Sequence, residues 1–539
     1  QPIVQAETVA PVKVQASSLS FAPITVSTSR YSPAYGEAKE ILQKDFSNPL
    51  AVDDRAHVLL KNASRGSVAG GALRMSELLQ RGDTEYQQDM RQYSTFSFPT
   101  KDGEYPPLDL GVFEERSNKS QEGFSFQLKT KDGDTINFSF ERYEGYGVAE
   151  GETVIDERGF HITDKRTGGF QGVEIAFDVD GRLSNDEKAQ LDQLAEKLEG
   201  LTTAYFDNGE ANFNEFDFSQ FDLMEKVNLS FENQGKEVLS VQYTDTDLYR
   251  SIEMEAGGAS GSITIDKTSL GMNFDAQQQA AAKQAYLSLI NDAAIEAKSP
   301  KDIAMMQTVF QMGFSNLVPE SEQESAANYT DIKLGEQASS SVLALPDFTF
   351  SYRSNHTQPN VEHKPDEYQG FQLELSLKTQ ISDNKNSGKM DIVQTQKFDL
   401  EGAYYEPLDH LEGVDFENQN YKYTEFSRSS EKVSHLMMQD GAIESLLVAE
   451  EGEEESKTDV YQDGRLVDEI KKKSEFAYLK DVTELAQEQS SEQNQEMLST
   501  LIIDPYEKNK NPRDKGIVQL DGAVEWLRSE LGHVINKAA

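Results

Sequence analysis

Cysteine is absent from the 539 residues, which excludes disulfides, thiolate nucleophiles, zinc ribbons and iron–sulfur sites at a stroke. Basic residues are scarce: 51 Lys and Arg stand against 94 Asp and Glu, a formal net charge of −43. A chain so short of cations has little with which to displace counterions from a phosphate backbone or to dock on anionic lipid, so nucleic acid is not an expected partner. No run approaches the ~18 apolar residues of a membrane-spanning helix. Tryptophan occurs once, but 28 Phe and 21 Tyr supply enough ring surface to fill real cores. At roughly 150 residues per domain, the length predicts three or four domains, or two large ones.

The chain opens on Gln1, where translation gives Met, and this predicts that an upstream segment has been removed. Together with the missing cysteine it favours an extracytoplasmic setting, periplasmic or extracellular, with the cytoplasm as the alternative.

Residues 1–33 hold only Glu7, Lys13 and Arg30 as charges. Val12, Val14 and Ala16 alternate, then Leu19 and Phe21, then Ile24 and Val26, with Pro11 and Pro23 between. Period two in short pieces predicts an extended arm, read either as a flexible leader or as a strand that pairs with a sheet edge, the chain's own or a neighbour's. The expected partner is therefore a second copy or another protein, engaged through residues 1–33, with a homo-oligomer as one outcome. Residues 34–93 read as short helices around Leu42, Leu59, Leu60, Leu73, Leu78 and Leu79.

The fold class expected is α+β: two antiparallel β-rich blocks, each followed by helices, behind the extended N-terminal arm. The first domain spans 94–318. Phe124, Phe126 and Leu128 alternate before Asp132-Gly133, and Ile136, Phe138 and Phe140 after it, the pattern of a hairpin. A second hairpin runs from Lys226 to Tyr243, and Glu187–Glu199 is a helix with Leu191, Leu194, Ala195 and Leu198 on its apolar face. Residues 275–318 form two helices, the first capped by Asp275, the second starting at Ser299-Pro300 and stopping at Gly313. Met305 and Met306 read as gap fillers of a core. Residues 319–344 read as a linker, and 345–539 as the second β-rich domain with C-terminal helices. Gln369–Leu375 echoes Glu122–Leu128, which makes a duplication of the two blocks plausible. The acidic run Glu450-Glu451-Gly452-Glu453-Glu454-Glu455 reads as a solvated loop, Asp463-Gly464 as another hairpin turn, and Lys508–Lys515 as an exposed loop. From Asp521 a terminal helix turns Val524, Leu527, Leu531 and Ile535 inward, with Trp526 beside that face.

One motif has metal-ligand spacing. In Asp178–Glu187, the residues Asp178, Asp180 and Ser184 fall at positions three, five and nine of a calcium loop, Gly181 makes the turn, and Glu187 closes the site. Ala176 stands where the first carboxylate belongs. The same residues read without metal as a turn at Asp180-Gly181 followed by a capping box, Ser184 with Glu187 three residues on, and this is the reading we expect. No cofactor is expected otherwise. The seven histidines show no ligand spacing. Gly257–Ser262 lacks the Gly-x-Ser-x-Gly elbow, and no phosphate loop occurs. Tyr404-Tyr405 and Tyr421-x-Tyr423 read as core, with an aromatic platform as the other option.

From the 123–142 hairpin, through the strand 172–177 and the acidic turn, to Tyr205-Phe206-Asp207-Asn208-Gly209-Glu210, Phe213 and the second hairpin, the pattern resembles an uncharacterised gammaproteobacterial family of unknown function, mainly over residues 120–245. The resemblance implies a bacterial source and carries no activity or site residues. The function expected is a non-enzymatic surface, envelope or assembly-subunit protein acting through protein–protein contacts. A carboxylate-based hydrolase, glycan-directed, and a cytoplasmic regulatory or scaffold protein are the alternatives.

Overall fold

The computed structural model describes residues 85–96, 118–154, 161–191, 193–194, 197, 218–233, 236–269, 274, 276–315, 317, 334–384, 386–408, 413–488, 491–506 and 517–529. The arm 1–33, most of the 34–93 segment, Asp275 and the 508–515 loop lie outside these residues. Strands dominate, and every strand pair recorded is antiparallel.

The chain separates into two compact units that divide near 241/242 rather than at the expected 319–344 linker. In the first unit the strands are β1 Glu85–Phe96, β2 Asn118–Thr130, β3 Thr135–Val154, β4 His161–Asp180 and β5 Met224–Asn233, in the order β1-β4-β3-β2-β5, and the division falls within β6 Lys236–Asp245. The expected hairpin is β2–β3, with Phe124 opposite Phe140 and Phe126 opposite Phe138. Its turn holds Gly133 at φ +99°, which glycine adopts without a side-chain clash. Phe126 stacks on Phe138 at 5.1 Å, and Phe124 lies 5.0 Å from Phe231 of β5. Strand β1 corrects the helical reading of 34–93 at its end. The stretch Glu85–Phe96 contains Tyr86, Tyr93, Thr95 and Phe96, types that suit a pleated surface, and it pairs with β4 along its whole length.

The second unit runs β7 Tyr249–Ala256, β8 Ala259–Asp266, β9 Phe348–Arg353, β10 Gly370–Asn384, β11 Lys389–Pro407, β12 Tyr421–Gln439, β13 Ala442–Gln462, β14 Arg465–Asp481 and β15 Ile517–Gln519, neighbours in sequence order. The helices Ala276–Glu296 and Ile303–Phe314 belong here, not to the first β block. Tyr286 and Phe310 meet Phe348 of β9 edge-on at 5.0 and 5.7 Å. Met306 is buried, as a core methionine should be. Residues 334–344 are likewise packed structure and not linker: after the short helix Glu336–Ser340, Val342, Leu343 and Ala344 are buried, and Gln394 bonds both the N–H and the C=O of Leu343. Residues 319–333 fall outside the described set. Among the described residues no helix is long and apolar enough to cross a membrane.

Gly313 does not end its helix, which continues to Phe314. It is where the helix touches the sheet: a Cβ there would sit 2.7 Å from Ile263 Cγ2, and Ile263 is buried. Gly→Ala within a helix ordinarily gains about 1 kcal/mol. Here the clash should outweigh that gain, so Gly313→Ala is expected to lower stability by about 1–2 kcal/mol, the usual cost of overpacking. A higher urea midpoint for the variant would contradict this.

Candidate functional site

Strands β10–β14 turn one face inward and leave the other open, because successive side chains alternate. On β11, Ile392, Gln394, Gln396, Phe398 and Leu400 are all buried. Gln396 accepts from Tyr286 Oη at 3.0 Å and donates to Leu501 O at 2.7 Å, which fixes the long helix and the helix Ser491–Leu501 over this face. The intervening Lys397, Asp399 and Glu401 point to the other side and are exposed, as are Glu425, Ser427 and Ser429 of β12.

The expected loop at 450–455 is the middle of β13. An acidic run is tolerated in a central strand because its neighbours carry cations in register. The Asp463-Gly464 turn, with φ of +48° and +73°, closes the β13–β14 hairpin and sets Glu453 opposite Glu475, Glu455 opposite Lys473 and Lys457 opposite Lys471. Lys473 Nζ bonds Glu453, Glu455 at 2.8 Å and Glu475 at 2.9 Å. These bonds hold the Lys473 ammonium above its usual range, and Lys473 in turn lowers the Glu455 carboxyl. Glycine at 452 makes room for Phe476 directly opposite, whose ring atom Cε1 would meet a Cβ at 2.6 Å.

On the covered face the run plays a different part. Glu450 and Lys432 are buried and paired at 3.1 Å. Arg428 lies against Glu296 at 2.9 Å and Glu454 at 3.1 Å, and donates to Pro505 O at 2.9 Å.

The open face is bounded at both ends. At one end Tyr405, Tyr421, Tyr423 and Tyr461 cluster with Tyr368, Val414 and Phe416, so these tyrosines are core, not platform. At the other, helical residues 523–529 bury Val524 and Leu527 against Val393, Val433 and Ala449. Trp526 stands beside that contact and is 42% exposed; Leu531 and Ile535 lie outside the described residues. Between the ends lie open hollows of about 550, 660 and 430 Å³, lined by Glu401, Asp399, Glu453, Glu455 and Lys473 among others. Carboxylates outnumber cations on this face. Partial desolvation, then the charges of Glu374, Glu431 and Glu401, push the Asp399 carboxyl above its usual range.

The residues singled out for calcium lie elsewhere, in the first unit. Asp178 and Asp180 are exposed on β4. Ser184 and Glu187 form the capping box: Ser184 N–H donates to Glu187 Oε2 at 2.7 Å, and Glu187 N–H to Ser184 Oγ at 3.2 Å. Glu187 is buried, a cost that alone would raise its carboxyl, but the Ser184 and Thr130 bonds outweigh it and hold the group below its usual range. A carboxylate so engaged is not aimed at the two aspartates. Calcium titration by calorimetry is therefore expected to show no micromolar binding. Micromolar affinity abolished by Asp180→Ala would overturn that expectation. Among the described residues no group of three or more His, Asp or Glu is gathered so as to hold a metal ion. His435 is buried and bonds Asp391 at 2.9 Å.

No protein-family model matches the chain, and no curated protein matches it. Among solved structures it is similar to a crystal structure of a lipopolysaccharide binding protein, at 9% identity over 70% of this chain and 81% of that one. The TM-score is 0.08, a likeness that carries no argument.

Proposed function

We propose that the chain is a non-enzymatic bacterial surface, envelope or assembly subunit that works through protein–protein contacts in an extracytoplasmic setting. The observation that supports this reading is the open face of β10–β14: one side of the sheet is sealed by helices, while the other holds ordered carboxylates in water between two covered ends. The rigid strands preorganise these charges, so little ordering is lost on binding. A partner presenting Lys or Arg relieves the crowding around Asp399 and steers itself to the face from a distance. Residues 1–33 are a second proposed contact, to another copy or to a different protein.

The test uses the protein in the cells that make it. Gentle extraction followed by size separation should place the wild-type chain in an assembly heavier than itself. Glu401→Lys/Glu425→Lys, which reverses two exposed charges on the face, should shift it towards the free chain. Wild type running as the free chain would defeat the proposal.

A further inference from the structure

Strand β14 is exposed on both sides over its first eleven residues, Arg465–Glu475. Among the described residues its outer edge is paired only at Tyr478–Lys480, by the three-residue β15. Leu466, Val467 and Ile470 are 52%, 55% and 41% exposed along it. Such an edge offers unpaired backbone N–H and C=O groups to another strand. Here its side chains also say which strand.

Two antiparallel copies of one strand related by a two-fold axis must place a single residue opposite itself. With Ile470 on the axis, Glu469 stands opposite Lys471 of the second copy, Asp468 opposite Lys472, and Arg465 opposite Glu475. Each pair occurs twice by symmetry, and every charge from 465 to 475 except Lys473, which faces Val467, meets its opposite. Moving the axis by one residue ruins this. Centred on Glu469 the strands oppose Glu469 to itself and Arg465 to Lys473; centred on Lys471 they oppose Lys471 to itself. Like charges directly opposite are destabilising, so the register is specified. The pairing of β14 with β13 shifts register between Val460 and Tyr461, beside Val467, so the regular stretch Asp468–Lys472 carries the argument. Glu469 and Lys471 already share a bond at 2.7 Å within their own strand. Asp468 and Lys472, on the opposite side of the strand, have no ion pair among the described residues.

We infer that the partner of this edge is a second copy of the same chain, joined β14 to β14 in antiparallel register about Ile470. This deepens the assembly reading by naming one partner. It stands on the edge and not on the open face, so either fails without the other.

The full chain is sized by light scattering over about a hundredfold range of concentration, because the dimer fraction follows mass action. Wild type should reach twice the chain mass and fall back towards one as salt screens the pairs. Lys472→Asp and Asp468→Lys, each at an exposed position, should weaken the dimer at least about tenfold, equivalent to ~1.4 kcal/mol. Mixing the two variants should restore it, because each supplies the charge the other lacks. A wild-type monomer at every concentration overturns the inference, whether the edge is bare or covered by residues 1–33. So does a dimer indifferent to Lys472→Asp, a mixture that stays monomeric, or a dimer abolished only by deleting residues 1–33.

Discussion

Lys432→Met is expected to lower the stability of the second unit by about 3–5 kcal/mol, the usual cost of removing one member of a buried ion pair. The Lys432 ammonium is fully buried and donates to Glu450 at 3.1 Å and to Ile502 O at 2.5 Å. Without it, the Glu450 carboxylate keeps, among the described residues, only neutral donors: Ser430 Oγ at 3.3 Å, Tyr478 Oη at 2.5 Å and Asp504 N–H at 2.9 Å. Those bonds cannot balance a whole charge withdrawn from water. The double variant Lys432→Met/Glu450→Gln removes both charges and keeps an oxygen acceptor, so it should lose less than Lys432→Met alone. Urea denaturation of both variants measures the difference. A single variant within about 1 kcal/mol of wild type would mean that the pair is more solvated than its burial indicates.

Asp347→Asn should do the reverse and stabilise the protein, at neutral pH only. Burial, aided by the nearby Asp266 charge, pushes the Asp347 carboxyl up from 3.8 to about 6, against the opposing bond from Thr379 N–H at 2.8 Å. Its Oδ1 is buried with no hydrogen-bond partner among the described residues. Because the folded value lies above the unfolded one, the folded state binds the proton more tightly. The stability this supplies is full below pH 3.8 and is lost as pH rises through about 6. Two pH units correspond to about 3 kcal/mol at most. Asparagine keeps the acceptor for Thr379 and carries no charge. The variant should gain about 2 kcal/mol at pH 7, and the gain should vanish near pH 4. An equal change at both pH values would show that packing, not ionisation, governs the site.

Local chemistry was the legible part of this fold. The Asp132-Gly133 and Asp463-Gly464 turns, the alternation of Phe124, Phe126 and Leu128, and the Ser184–Glu187 capping box depend on residues within a few positions of one another, and each stands as the sequence predicts. Long-range partners were not legible. The acidic run at 450–455 looks like a solvated loop until Lys432, Arg428 and Lys473 are set opposite it by strands beginning up to twenty-nine residues before it and ending twenty-six after it. A signal was present all the same. Once Asp463-Gly464 is taken as a two-residue turn, counting outward sets Glu455 opposite Lys472, one residue from its observed partner Lys473. Gly313 misled for a related reason: glycine ends helices often, but it also serves where a helix must lie close on a sheet, and only the partner Ile263 distinguishes the two. The division of the chain near 241/242 was hidden because β8 pairs with β9 across more than eighty residues of intervening sequence, from Asp266 to Phe348.

The most direct measurement of the central claim is amide hydrogen exchange on the native assembly compared with the purified chain. If the open face of β10–β14 is where a partner binds, peptides covering 397–401, 425–431 and 451–457 should exchange more slowly in the assembly, while peptides from the helices Ala276–Glu296 and Ile303–Phe314 should not change. Equal exchange of the face strands in both samples, or protection confined to other surfaces, would contradict the account.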